Sequence, residues 1–249
     1  MKAGVFDSGI GGLTVVKSLL ENNIFEEIIY FGDTARVPYG VKDKNTIIRY
    51  SLEALEFFKN FDLDIIIVAC NSVSAYALEE LRVNSNIPVV GVIEAGIQAL
   101  NNKNISKDSN ILVIGTKATI KSKGYNNRLL EFNYKNIISI HTSLFVPIVE
   151  ENIFDGDVLD SALTHYFKDI SKIHIDIIIL GCTHFPLIEN KISSYFSNAP
   201  TIHSGDAIVE LLKKNYNCIN RQQETNIKFF ASQSPDELKK IAKIWLNLK

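Results

Sequence analysis

Cysteine is scarce in this chain: 249 residues contain three, Cys70, Cys182 and Cys218, and no C-x-x-C spacing. An odd, widely spaced set supports neither a disulfide framework nor a thiolate zinc site, so no metal is read and at least two of the thiols are expected to be free. Positive charge is equally unconcentrated. The formal net charge is -2, and without a Lys/Arg block there is no general attraction for nucleic acid or an anionic membrane. A small solute is the expected partner. The apolar runs are too short to cross a bilayer. The opening residues MKAGVFDSGIGG read as a strand and turn, with acidic Asp7 inside, not as a signal segment. The cytoplasm is the expected address.

What the chain does have is a core. Hydrophobic residues make up 46% of the sequence, enough for one large core or two smaller ones. Apolar strands alternate with helical segments from end to end, which predicts an α/β protein with mostly parallel sheets. Strands are expected at Lys2 to Phe6, Glu27 to Phe31, Ile65 to Ala69, Pro88 to Val92, Ile111 to Gly115, Ile137 to Ile140, Ile177 to Gly181 and Thr201 to His203. Near-helical spacing of Ile47, Ile48, Leu52, Leu55 and Phe58 predicts a helix over Lys42 to Lys59. Ser234-Pro235-Asp236-Glu237 reads as the capped start of a last helix, which carries the packing residue Trp245. The polar stretch Leu100 to Asn110 reads as a surface loop near a domain change, and Ser204-Gly205-Asp206 as the start of a helix returning to the first domain. The resulting division is residues 1–92 plus 206–249 for one α/β domain and 93–205 for the other.

One phrase occurs twice. Asp64-Ile65-Ile66-Ile67-Val68-Ala69-Cys70-Asn71-Ser72 is echoed by Asp176-Ile177-Ile178-Ile179-Leu180-Gly181-Cys182-Thr183-His184. Each copy reads as a strand buried on both faces that delivers a cysteine and hydrogen-bonding residues to its end. Two thiols in equivalent positions of facing halves can bracket one carbon, one removing a proton and the other returning it to the opposite face. That arrangement suits racemisation. A thiol entering a helix N-terminus is expected to have a lowered pKa. Asn71 and Ser72 are read as caps of a helix through Ala75 to Leu81, and Thr183 as a cap with Pro186 in the first turn.

Other residues attract attention more weakly. The turn Asp7-Ser8-Gly9-Ile10-Gly11-Gly12 allows a ligand close to backbone donors, but its spacing is not G-x-G-x-x-G and no Walker lysine follows. Asp7, at a strand end, can accept a proton, orient an ammonium group or tune a thiol. His184 is placed to exchange protons with Cys182. Glu150 and Glu151 read, on their own, as a solvated charged pair, and Cys218 as incidental.

Four motifs together resemble a known family: Val5-Phe6-Asp7-Ser8-Gly9-Ile10-Gly11-Gly12, the run from Gly32-Asp33-Thr34 to Pro38-Tyr39-Gly40, Ala69-Cys70-Asn71, and Gly181-Cys182-Thr183-His184-Phe185-Pro186-Leu187. Gly115-Thr116-Lys117-Ala118-Thr119 makes a fifth. The chain resembles the bacterial glutamate racemases over nearly its whole length. The resemblance implies two pseudo-symmetric α/β domains with the site in the cleft between them, and interconversion of L- and D-glutamate for peptidoglycan without a cofactor. It implies Cys70 as the base for D-glutamate, assisted by Asp7, and Cys182 as the base for L-glutamate, assisted by His184 with acidic Glu150 nearby. It also implies substrate contacts from Asp7, Ser8, Tyr39, Gly40, Asn71, Ser72, Thr116, Thr119, Thr183 and His184, and a homodimer. The family usually has threonine and alanine where this chain has Ser72 and Val73. Competing expectations are a racemase of aspartate or another amino acid from the same superfamily, and a non-catalytic amino-acid-binding regulator.

Overall fold

The computed structural model describes residues 1–216 and 224–247, so Cys218 lies outside the described residues. Among these, the strands are β1 (Lys2–Asp7), β2 (Glu27–Gly32), β3 (Ile65–Val68), β4 (Val89–Gly91), β5 (Asn110–Gly115), β6 (Asn136–His141), β7 (Ile177–Gly181), β8 (Thr201–His203) and β9 (Asn226–Ala231). They form two sheets, ordered β4-β3-β1-β2-β9 and β6-β5-β7-β8. Every pairing is parallel. Helices link successive strands, giving two α/β domains as expected.

The two sheets share one topology. In each, the first strand sits between the second and the third, and the fourth flanks the third. Parallel sheets are covered on both faces, which is why β3 and β7 are continuous runs of buried β-branched and leucine side chains. The order reverses between β1 and β3 and again between β5 and β7. In open α/β sheets the crevice beyond the strand ends at such a point is where ligands sit.

Several elements differ from the sequence reading. β9 was not expected. It is an edge strand pairing only with β2, and its half-exposed alternation in Asn226-Ile227-Lys228-Phe229-Phe230-Ala231 lacks the apolar run of a central strand. The loop expected over Leu100 to Asn110 is shorter, because the helix Val92–Asn102 carries Leu100 into the core and Asn110 already belongs to β5. The helix expected over Lys42 to Lys59 runs Lys44–Phe58, where Asp43 caps it by accepting from the Thr46 N–H at 3.0 Å. Ser234 precedes the last helix, Pro235–Trp245, but is left-handed at φ 52° and makes no side-chain cap. No helix among the described residues is long and apolar enough to cross a membrane.

Candidate active site

Cys70 follows β3 and Cys182 follows β7, so each thiol stands at the reversal point of its own sheet. Both are buried. They line one small cavity. From the first sheet's loops it is walled by Ser8, Tyr39, Gly40, Asn71 and Ser72, and from the second by Thr116, Glu150, Thr183 and His184. Asp7 and Thr119, also expected at the substrate, are buried just behind this wall.

The second thiol has a built partner. Cys182 Sγ lies 3.7 Å from His184 Nδ1, and His184 Nε2 lies 3.0 Å from Glu150 Oε1. Burial alone would lower the His184 pKa, but its hydrogen bonds to Cys182 and Glu150 prevail and raise it to about 10. The imidazole thus lies within hydrogen-bonding reach of the sulfur on one side and is anchored by a carboxylate on the other. Read on its own, Glu150 was a solvated charge, and only the family resemblance set it near Cys182; the fold brings it to His184 by running the helix Phe145–Glu150 alongside the turn Phe185–Ile188.

At the first thiol the expectation that a helix start lowers the pKa is corrected. Burial and the nearby Asp7 carboxylate push Cys70 up to about 12, although the Ser8 hydroxyl at 3.5 Å and the Val73 N–H partly offset them. The following helix, Asn71–Tyr76, is too short and too buried to reverse that balance. Asp7 itself is raised by its burial, with the His184 charge and the Gly9 N–H among the groups pulling the other way.

Asn71 and Ser72 are not caps. Both lie inside the helix Asn71–Tyr76, whose N-cap position is Cys70 itself. Thr183 likewise precedes the N-cap position, which His184 occupies, while Pro186 is in the first turn as expected. Their side chains instead join the halves. Ser72 Oγ lies 2.9 Å from Thr116 Oγ1 and 3.3 Å from Thr119 Oγ1, and Thr183 Oγ1 donates to Asp7 Oδ1 at 3.3 Å. Thr14 Oγ1 also donates to the Thr183 carbonyl at 2.7 Å.

Close approach of the glycine turn explains part of this fit. A Cβ on Gly11 would stand 2.4 Å from Thr183 Oγ1 and 2.6 Å from His184, so only glycine lets the two halves meet here.

Some of the wall was not singled out from sequence. Val37, Pro38 and Val146 add apolar surface to the cavity. Asp33, fully buried, accepts from the Tyr39 hydroxyl, from Arg36 Nε at 2.6 Å and from Ser232 Oγ at 2.7 Å, fixing Tyr39 in place. The Gly32 to Gly40 motif could have pointed to Asp33 and Pro38; nothing local pointed to Val146. Among the described residues no group of three His, Cys, Asp or Glu side chains is arranged to hold a metal ion.

Paired like sheets with a thiol from each in one closed cleft define an α/β protein built for acid–base chemistry on a small molecule. The profile of the Asp/Glu/Hydantoin racemase family matches residues 15–212, and the chain belongs to that family. It is 63% identical over 247 residues to a glutamate racemase of Nitratiruptor sp., covering 99% of this chain and 96% of the relative. Its fold overlays the crystal structure of Campylobacter jejuni glutamate racemase with a TM-score of 0.97 and 55% identity, covering 100% of this chain and 99% of the other. The Francisella tularensis glutamate racemase solved with D-glutamate gives a TM-score of 0.87 at 33% identity, covering 99% and 93%.

Proposed function

We propose that the chain interconverts L- and D-glutamate by a cofactor-independent two-thiol reaction, supplying D-glutamate for peptidoglycan. The observation carrying this reading is that Cys70 and Cys182, at equivalent ends of two sheets with one topology, line a single cavity. Relatives bearing the activity cover essentially the whole chain.

One thiolate takes the α-proton of the bound amino acid, and the electron pair left on Cα delocalises into the α-carboxylate. The opposite thiol then donates its proton to the other face, so thiol and thiolate exchange places in each turnover. Cys182, paired with His184 and through it Glu150, serves as the base for L-glutamate, while Cys70, beside Ser8 and Asp7, acts as the acid. The reverse direction exchanges the two roles. The α-proton is a weak acid, so charge developing on the carboxylate must be met by donors already in place. Ser8, Asn71, Ser72, Thr116 and Thr183, with the Tyr39–Gly40 wall, supply those contacts, and Thr119 and Asp7 hold them from behind. The cleft's closure around the ligand strengthens each contact by excluding water.

The working division is residues 1–92 with 206–249, and 93–205, each contributing one thiol. Free thiols suit a reducing compartment, so the cytoplasm is the proposed site of action. A homodimer is the proposed assembly, to be checked by sedimentation.

The deciding experiment incubates purified chain with L-glutamate in deuterated water without added cofactor, following optical rotation and deuterium at Cα. Loss of rotation with deuterium incorporation is expected. Binding without exchange would leave a regulator, and faster turnover of aspartate would change the substrate.

A further inference from the structure

We propose that Tyr125 is a positioning residue for the substrate site, its hydroxyl fixing the Asn71 amide so that a side-chain N–H is presented to the bound amino acid. The inference rests on the racemase reading of the cavity and extends it to a residue outside the cavity wall.

Tyr125 lies on the helix Gly124–Glu131 and is buried. Its hydroxyl donates to Asn71 Oδ1 at 2.7 Å, while Asn71 Nδ2 donates to Ser204 Oγ at 3.1 Å. Asn71 itself lines the cavity, directly after Cys70. An amide has two N–H donors and one carbonyl acceptor. With the oxygen held by Tyr125 and one proton given to Ser204, the remaining polar hydrogen is the second on Nδ2. An amino-acid carboxylate can accept it. The phenol O–H on Oδ1 and the Ser204 contact to Nδ2 hold the amide at both of its polar atoms and leave the second Nδ2 hydrogen for the ligand.

The phenol is built to stay in place and stay protonated. A Cβ added to Gly96 would lie 3.4 Å from one edge of its ring, and one added to Gly181 would lie 3.2 Å from the other. The ring is thus seated between the helix Val92–Asn102 and the residue preceding Cys182. Burial, with the charge of Cys182 adding to it, raises the phenol's pKa above its ordinary value, so its proton remains available to Asn71. One side chain therefore touches the structure immediately next to both thiols without facing the ligand.

The test compares Tyr125→Phe, which keeps the ring and removes one oxygen, with Asn71→Ala and the double variant. Initial rates in both directions, calorimetric affinity for D-glutamate and melting temperature are measured on each. Tyr125→Phe is expected to raise KM and the dissociation constant about tenfold for both enantiomers, with kcat within about threefold. In the Asn71→Ala background the same change should alter kcat/KM by less than about twofold, since its effect passes through Asn71. An unchanged KM in Tyr125→Phe overturns the proposal, as does a tenfold loss that persists without Asn71. Should Asn71→Ala not fold, Asn71→Asp replaces it: it keeps an acceptor for Tyr125, offers oxygen to the ligand, and should raise KM at least about a hundredfold, with Tyr125→Phe adding nothing further. If the unmodified chain binds glutamate without racemising it, the functional reading fails while the binding series still measures the Tyr125–Asn71 coupling. A chain that does not bind glutamate overturns both.

Discussion

His184 Nε2 stands 3.0 Å from Glu150 Oε1, and this contact backs the imidazole beside Cys182, where Cys70 instead has the Ser8 hydroxyl and the Asp7 carboxylate. Its pH signature follows from the raised His184 pKa of about 10, against an ordinary imidazole value of 6.5. A pKa higher in the folded state means stability fully present below about 6.5 and lost as pH rises toward about 10. Glu150→Gln should therefore destabilise the protein by about 1–2 kcal/mol at pH 6, at the low end for a charge-assisted bond because Glu150 is partly exposed. The difference should shrink as the pH approaches that of His184 deprotonation. Thermal melts at stepped pH test it; a gap that widens with pH would contradict the assignment.

The two-thiol scheme makes a stronger demand. Cys70→Ser and Cys182→Ser each replace a buried thiol by a hydroxyl of similar shape but far weaker acidity. Racemisation should fall at least about a thousandfold in either variant, the scale of losing a positioned acid or base. Melting temperatures should move by only a few degrees. Polarimetry on both variants is sufficient, and substantial activity in one of them would falsify the scheme.

Much of this architecture is legible in the chain because parallel strands covered on both faces write themselves as apolar runs, as Ile65–Val68 and Ile177–Gly181 do. The edge strand Asn226–Ala231 is half exposed, and so leaves no such run. The two cysteines are marked by their repeated context, and the motif resemblance names most of the wall. Long-range effects are invisible to that kind of reading. The direction of the Cys70 pKa depends on burial and on Asp7, a residue sixty-odd positions away that a parallel strand brings close. Tyr125 reaches Asn71 only through the meeting of the two halves, and no local pattern distinguishes it from any other helical tyrosine.

That meeting depends on Gly11. A methyl group there would collide with Thr183 and His184, neither of which is the loose end of a flexible chain, since both are buried and hydrogen-bonded. Gly11→Ala should force the segment carrying Cys182 outward, destabilising the fold by about 1–3 kcal/mol, as overpacking does. Activity should fall further than stability, by about a hundredfold in kcat/KM, because displacing a catalytic group by an ångström is enough for that loss. Rates taken well below the variant's melting temperature separate the two effects. Equal activity in Gly11→Ala would mean that the halves do not need to come this close.

Ser72 offers a finer test. Its hydroxyl, with those of Thr116 and Thr119, forms a buried ring with separations of 2.9, 3.3 and 3.1 Å. Three hydroxyls can donate to one another in turn, so the empty ring satisfies itself, and an arriving carboxylate has only to turn one or two protons toward it. Ser72→Ala breaks the ring while leaving Thr116 and Thr119 bonded to each other. KM should rise about tenfold, the scale of one lost hydrogen bond to a charged group, with kcat changing less. Ser72→Thr restores the hydroxyl and adds one methyl in a buried position, so KM should return to within about threefold of the unmodified chain and any residual loss should appear in stability. If Ser72→Ala instead lowers kcat at constant KM, the ring acts on the transition state alone and the carboxylate is held elsewhere in the ground state.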